Sequence, residues 1–351
     1  MTITKSRPRL KDLSIALGLS VTTVSRALGG HDDVSRATQA RVQAKARELG
    51  YVPSRAGRML VSGATRSVCL VVPAYDPTFI DPFLGAFVTG LGEGLAQNDV
   101  DLFIATVSRG QCELDVIRGI INTGRADAVV ITRTERDDPR VRFLIDQNIP
   151  FVSHGRVEDE QRPYAWYDSD GERAFELATE LLIDLGHRRF AYLGVKDPLS
   201  FVDYRRSGVE KALSRAGLAF PASHQITTSR RDRDGVLVAC HSVLDLDPRP
   251  TAVLAVIDEL ALCLLTVAAE RDVLIPEELS VIGFDNLPVS AYAKPALSTF
   301  DHQPGDSAAR VALMLANQID RPDASKETVL APAVFTPRGS HGRAADNQRQ
   351  I

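Results

Sequence analysis

Val21, Thr22, Ser25 and Arg26 are side chains able to read a nucleic acid. Threonine hydrogen-bonds or touches a thymine methyl, valine supplies apolar contact, and arginine forks onto a guanine or grips phosphate. They act together only if one helix presents them on one face. Val24, Ala27 and Leu28 fall on the opposite, inward face of the same stretch, and Ser20 can cap it. Before it, Leu10, Leu13 and Leu17 fall at helical spacing, Gly18 gives a tight turn its backbone freedom, and Leu19 returns to the core. Residues 10 to 28 therefore predict a helix-turn-helix whose second helix enters a major groove. Ser35 can cap a third helix running to about Leu49, with Val42, Ala46 and Leu49 inward and Gly50 ending it.

Charge divides along the chain. Residues 1 to 66 hold 12 Lys+Arg and 4 Asp+Glu, a net of +8, so the remainder must carry −12 to give −4 overall. Only the head is suited to polyanions. The start, MTITKSRPRLKDL, has no apolar signal core, and the longest apolar run, near Leu260 to Ala269, is too short to span a bilayer, so a cytoplasmic protein without membrane contact is expected. Cys69, Cys112, Cys240 and Cys263 form no C-x-x-C pair and read as buried small hydrophobes, with no metal site and no disulfide framework.

Beyond the head, YVPSRAGRMLVSG at 51 to 63 holds about two turns of possible helix after Pro53, with Arg55 and Arg58 flanking Leu60. With LKDLSIALGLSVTTVSRAL and DDVSRATQARVQAKARELGYVPSRA, the chain resembles the lactose-repressor (LacI/GalR) family of bacterial transcription regulators. The resemblance implies a hinge helix that orders on operator DNA, with Leu60 wedged into a minor-groove base step while Arg55 and Arg58 hold phosphates. Ser14 and Gly57 depart from the family's usual alanines, and Gly57 raises the cost of ordering the hinge by on the order of 1 kcal/mol. The expected division is a head at 1 to 52, a hinge and linker at 53 to 66, a core at 67 to 340, and a disordered tail at 341 to 351.

From residue 67 the pattern alternates strand and helix signals. Strands are expected near 68 to 72, 101 to 106, 128 to 132 and 150 to 155, then near 190 to 195, 224 to 229, 252 to 257 and 280 to 284. The fold class is α/β, a small all-α head joined to two parallel-sheet lobes facing each other across a cleft at the carboxyl ends of the strands. The resemblance implies the same, a core like that of periplasmic sugar-binding proteins. Strands near 298 to 300 and 329 to 335 would return the chain across the lobes.

Effector contacts follow from strand ends and the resemblance together. Arg205 matches the family arginine that precedes a glycine by three residues, and Asp285, closing SVIGFD, matches a family aspartate that accepts hydroxyl protons. Asp258 after AVLAVI either does the same or caps the helix behind it; Ile257 stands where the family has asparagine. Tyr75, Asp81 and Phe83, in PAYDPTFIDPFL after the first strand, lie where the family places aromatic and polar contacts, as Arg156 does in SHGR. Trp166 and Phe284 are further aromatic candidates, Asp168 and Ser169 border the cleft, and His154 reads as structural or solvent-facing.

The expectation is a homodimeric repressor holding two heads on palindromic double-stranded DNA, its operator affinity changed by a small-molecule effector, best read as a sugar because carboxylates beside Arg205 suit polyols. A purine or nucleoside effector and control by co-repression are the alternatives within the class. An α/β metabolic enzyme with a basic appendage is the alternative class, but the chain carries no G-x-S-x-G, phosphate loop or H-E-x-x-H, so neither catalytic residues nor a cofactor are expected.

Overall fold

The computed structural model describes residues 8–51, 64–73, 82–230 and 232–345. The chain divides into two compact units, Met1–Thr65 and Arg66–Ile351.

In the first unit, α1 (Leu10–Leu17), α2 (Val21–Leu28) and α3 (Arg36–Leu49) enclose Leu13, Leu17, Val24, Ala27, Val42 and Ala46. Gly18 takes the left-handed conformation at φ 64° that the turn between α1 and α2 requires. Ser14 does more than fit where alanine would: its hydroxyl donates to the Leu19 carbonyl at 2.6 Å, clamping the turn. Ser20 and Ser35 cap their helices by accepting from the Thr23 and Thr38 amides.

The second unit has two lobes. The first carries a parallel six-stranded sheet in the order β11-β5-β4-β3-β1-β2, with β1 (Ser67–Pro73), β2 (Asp101–Val107), β3 (Ala128–Thr132), β4 (Phe151–His154), β5 (Ala165–Ser169) and β11 (Thr328–Ala331). Helices α4 (Pro82–Ala96), α5 (Glu113–Asn122), α6 (Pro139–Asp146) and α11 (Pro304–Asp320) cover it. The second lobe has a parallel four-stranded sheet in the order β7-β6-β8-β9, from β6 (Phe190–Val195), β7 (Gln225–Thr228), β8 (Ala252–Ala255) and β9 (Ser280–Ile282). Around it lie α7 (Gly171–Asp184), α8 (Ser200–Arg215), α9 (Arg233–Leu244) and α10 (Asp258–Glu270), while β10 (Thr299–Asp301) and β12 (Val334–Thr336) pair antiparallel.

Among the described residues three crossings join the lobes: β5 to α7, β10 to α11, and β11 to β12. They put the carboxyl ends of both sheets on one cleft.

Two expectations need correction. Residues 341–345 are not a loose tail: Gly342 accepts from Ser280 Oγ and bonds His187 Nε2 at 3.0 Å, the Ala344 amide donates to Leu185, and Ala344 is buried. A polar GSHGR stretch has low core content by composition, but its backbone here closes the end of the second lobe. Cys69 and Cys240 are buried hydrophobes as read, whereas Cys112 is exposed and Cys263 half-buried.

Candidate DNA-reading head and effector cleft

On α2, Val21, Thr22 and Arg26 are exposed and Ser25 is half-exposed, so the second helix presents the predicted quartet outward while Val24 and Ala27 are buried. Arg26 is held by an ion pair with Asp33 at 2.8 Å, a partner that the reading of the helix alone did not include. Arg55, Arg58, Leu60, Tyr75 and Asp81 lie outside the described residues.

In the second unit a cavity of about 150 Å³ opens between the lobes. Arg205, on the second turn of α8, lines it. Its guanidinium lies 3.6 Å from the Phe284 ring centroid and 4.5 Å from that of Phe201, its Nη1 donates to the Val256 carbonyl at 2.6 Å, and Asp285 Oδ1 is 4.0 Å away. Burial draws the guanidinium below its ordinary pKa, and Asp285 counteracts it. Gly171 leaves room for this arginine, since a Cβ there would crowd Arg205 Cγ at 3.0 Å.

Asp285 also lines the cavity, at φ 125° and followed by Asn286 at φ 51°. Such conformations in non-glycine residues cost energy and recur where a side chain must be aimed. The Asp285 amide is tied to the Phe300 carbonyl, so the turn is fastened to β10.

Arg156 and Asp168 form a second pair across the ends of β4 and β5 at 3.2 Å, and Arg156 lies 4.0 Å from the Tyr204 ring centroid. Burial raises the Asp168 carboxyl to about 6 despite the pull of Arg156 and Arg205. Arg230 and Glu259 supply a third pair at 3.2 Å. The floor is aromatic: Phe83 stacks on His302 at 5.2 Å and on Phe87 at 5.4 Å, and His154 packs edge-on to Phe87. His154 bonds Ser307 Oγ at 3.1 Å, and burial pushes its pKa down to about 4, which keeps it neutral.

Several cavity residues hold polar atoms that are buried and make no hydrogen bond among the described residues: Arg205 Nε, Ser169 Oγ, Ser200 Oγ and His302 Nε2. A buried polar atom costs free energy until something pairs with it, so such a concentration marks a place built for a polar ligand.

The cleft thus brings together Phe83, Arg156, Arg205 and Asp285, with Asp168, Ser169 and His154. Asp258 does not belong. It is fully buried, and its carboxylate accepts from Thr299 Oγ1 at 2.6 Å, Ser290 Oγ at 2.7 Å and the Leu287 amide at 3.0 Å. Burial raises its pKa, and those donors oppose the rise. Its work is to hold the loop that carries Asp285. Trp166 packs in the first-lobe core, and Phe284 lies beneath Arg205 within the second-lobe core. Sequence reasoning missed His302, Arg230, Glu259 and Tyr204. Arg230 and His302 follow strands closely, so the carboxyl-end rule would have flagged them.

The lobes touch beside the cavity, where the Ser200 amide donates to the Thr134 carbonyl and Arg136 pairs with Asp203 at 3.0 Å. Among the described residues, no group of three or more His, Cys, Asp or Glu side chains is placed to hold a metal ion, and no helix is long and apolar enough to cross a membrane.

A helix-turn-helix unit and a two-lobed binding core define a DNA-binding regulator with a small-molecule sensor. Comparison with known proteins agrees. Residues 9–54 match the bacterial regulatory proteins of the lacI family, and residues 179–341 match the periplasmic binding protein-like domain. The HTH-type transcriptional regulator AglR of Rhizobium meliloti (strain 1021) is 34% identical over 96% of this chain and 95% of its own. RafR of Escherichia coli is 37% identical over 70% of this chain and 71% of its own. The structure of the transcriptional regulator CelR in complex with cellobiose superimposes with a TM-score of 0.72 at 27% identity, over 95% of this chain and all of that one. The chain belongs to the LacI family and is a DNA-binding transcriptional regulator.

Proposed function

We propose that the protein is a cytoplasmic, non-enzymatic repressor that holds an inverted-repeat operator as a homodimer and changes its grip when a neutral sugar fills the interlobe cavity. One observation carries the effector class: three arginine–carboxylate pairs, Arg205 with Asp285, Arg156 with Asp168 and Arg230 with Glu259, ring one cavity over an aromatic floor. Each pair balances its own charge while offering both donors and acceptors, which suits vicinal hydroxyls and opposes a phosphate. Aromatic rings suit the apolar CH face of a pyranose. Cellobiose is bound by the related CelR in its complex, which supports the same class here. A purine is less suited, because the faces of Phe284 and Phe201 are already covered by Arg205.

Control requires the sugar to prefer one lobe arrangement, since equal affinity for both shifts nothing. Titration calorimetry with neutral mono- and disaccharides, cellobiose included, followed by operator binding with and without the sugar that gives heat, tests the reading. Heat with purines and none with sugars would reverse the effector class, and turnover of a sugar would place the chain among enzymes.

A further inference from the structure

The second crossing between the lobes runs through His302. On its amino side, Asp301 is fastened to the second lobe: one carboxylate oxygen accepts from Asn286 Nδ2 at 3.1 Å, and the other accepts from the Gln303 amide at 2.7 Å. On its carboxyl side, α11 begins at Pro304 and is fastened to the first lobe, where Ser307 Oγ bonds His154 Nε2. Between these anchors stand His302 and Gln303, the latter at φ 50°, which a side chain other than glycine rarely adopts. Hinges are a few element-terminal residues that absorb backbone rotation, and this pair has that position.

His302 is also a wall of the cavity. Its ring stacks on Phe83 of the first lobe at 5.2 Å and packs against Phe284 of the second at 5.6 Å. Its Nε2 is buried, makes no hydrogen bond among the described residues, and stands 3.8 Å from Asp285 Oδ1. That separation is too long for a direct hydrogen bond, yet one hydroxyl oxygen fits within about 2.8 Å of both atoms. It would donate to the carboxylate and accept from the imidazole. Burial beside His154 and Arg205 keeps the ring neutral, and a neutral imidazole can donate from one nitrogen.

We propose that His302 is a specificity-determining effector residue and the point at which the hinge reads the cavity: its Nε2 and Asp285 clasp one sugar hydroxyl, and that clasp sets the rotation of the crossing at 302–303. The inference rests on the sugar reading above.

The test uses the full-length protein and two variants. His302→Phe keeps a ring between Phe83 and Phe284 but has no polar atom; His302→Gln keeps hydrogen-bonding capacity without the ring. The probe is the neutral mono- or disaccharide that gives heat with the parent. Expected results are a loss of at least tenfold in affinity for His302→Phe, and rescue to within about threefold of the parent for His302→Gln, in line with one hydrogen bond to a buried polar group. The second readout is the ratio of operator affinities with and without saturating sugar, which should collapse toward one in the Phe variant. Parent-like affinity in His302→Phe, or equal loss in both variants, overturns the polar clasp. A full operator shift at saturation in His302→Phe overturns the hinge role. No heat from the parent with any sugar overturns the effector class and this inference with it, whereas heat with the parent and no effect of either variant removes His302 alone.

Discussion

The Arg205 guanidinium lies 3.6 Å from the centroid of the Phe284 ring, and Phe284 is fully buried in the second-lobe core. This cavity-lining guanidinium therefore rests on core packing, which sets its plane. Lysine is a flexible point charge and cannot hold that plane. Arg205→Lys is expected to weaken binding of the sugar at least tenfold by calorimetry and to abolish its effect on operator affinity. Parent-like heats in the variant would remove the arginine from recognition.

Asp258 offers the opposite case. It does not line the interlobe cavity, yet three buried donors depend on it. Asp258→Ala is expected to cost about 3 kcal/mol in urea unfolding, because Thr299, Ser290 and the Leu287 amide lose their acceptor. Asp258→Asn keeps one acceptor oxygen and should lose less. A variant as stable as the parent would show that the loop carrying Asp285 is held by other means.

Acidification should destabilise the core. The His154 pKa is depressed by burial from 6.5 to about 4, and those of His302, His187 and His341 are also lowered, chiefly by burial. A base with a depressed folded pKa binds protons more readily when unfolded, so its contribution is complete above pH 6.5 and is lost as pH falls through the folded value. For His154 this amounts to about 3 kcal/mol. Asp168, raised to about 6, works the other way and favours the folded state at low pH. Urea midpoints should fall between pH 7 and pH 4.5, and His154→Gln should flatten the slope. A pH slope in His154→Gln equal to the parent's would contradict the burial of that imidazole.

In the head, Arg26 is paired with Asp33 at 2.8 Å, and if Arg26 grips phosphate, as its exposed place on α2 suggests, that pair competes with DNA. Asp33→Asn is expected to tighten binding to an inverted-repeat promoter fragment and to steepen the salt dependence by about one phosphate contact. An unchanged slope would place Arg26 away from the backbone.

The head's turn also depends on a hydroxyl. Ser20→Ala removes the acceptor for the Thr23 amide and should lower head stability by about 1 kcal/mol, measured as the first transition in thermal unfolding followed by circular dichroism.

Much of this architecture was legible from local pattern. Leu13, Val24, Ala27 and Val42 show their burial by helical spacing, and strands such as AVVIT and FAYLGV announce themselves as apolar runs bounded by turns. Arg205 and Asp285 were placed by motif and by strand ends. The identity of the floor was not legible, because Phe83, His154 and His302 meet only when β4, the start of α4 and the second crossing converge.

Asp258 and Asp285 show where sequence reading stops. Both are aspartates just past an apolar strand segment; Ile257 and the helix that follows Asp258 left its role open, and local pattern did not close it. The sequence by itself determined the helix-turn-helix, the basic head and the alternation of strands and helices, since each depends on periodicity or composition within a short stretch, whereas Arg205 was singled out by the resemblance. Only the tertiary structure decided which carboxylate faces the cavity, which histidine stands in the hinge, and that residues 341–345 close the second lobe. Those outcomes depend on partners distant along the chain, such as Thr299 for Asp258 and Phe83 for His302, and packing alone selects among them.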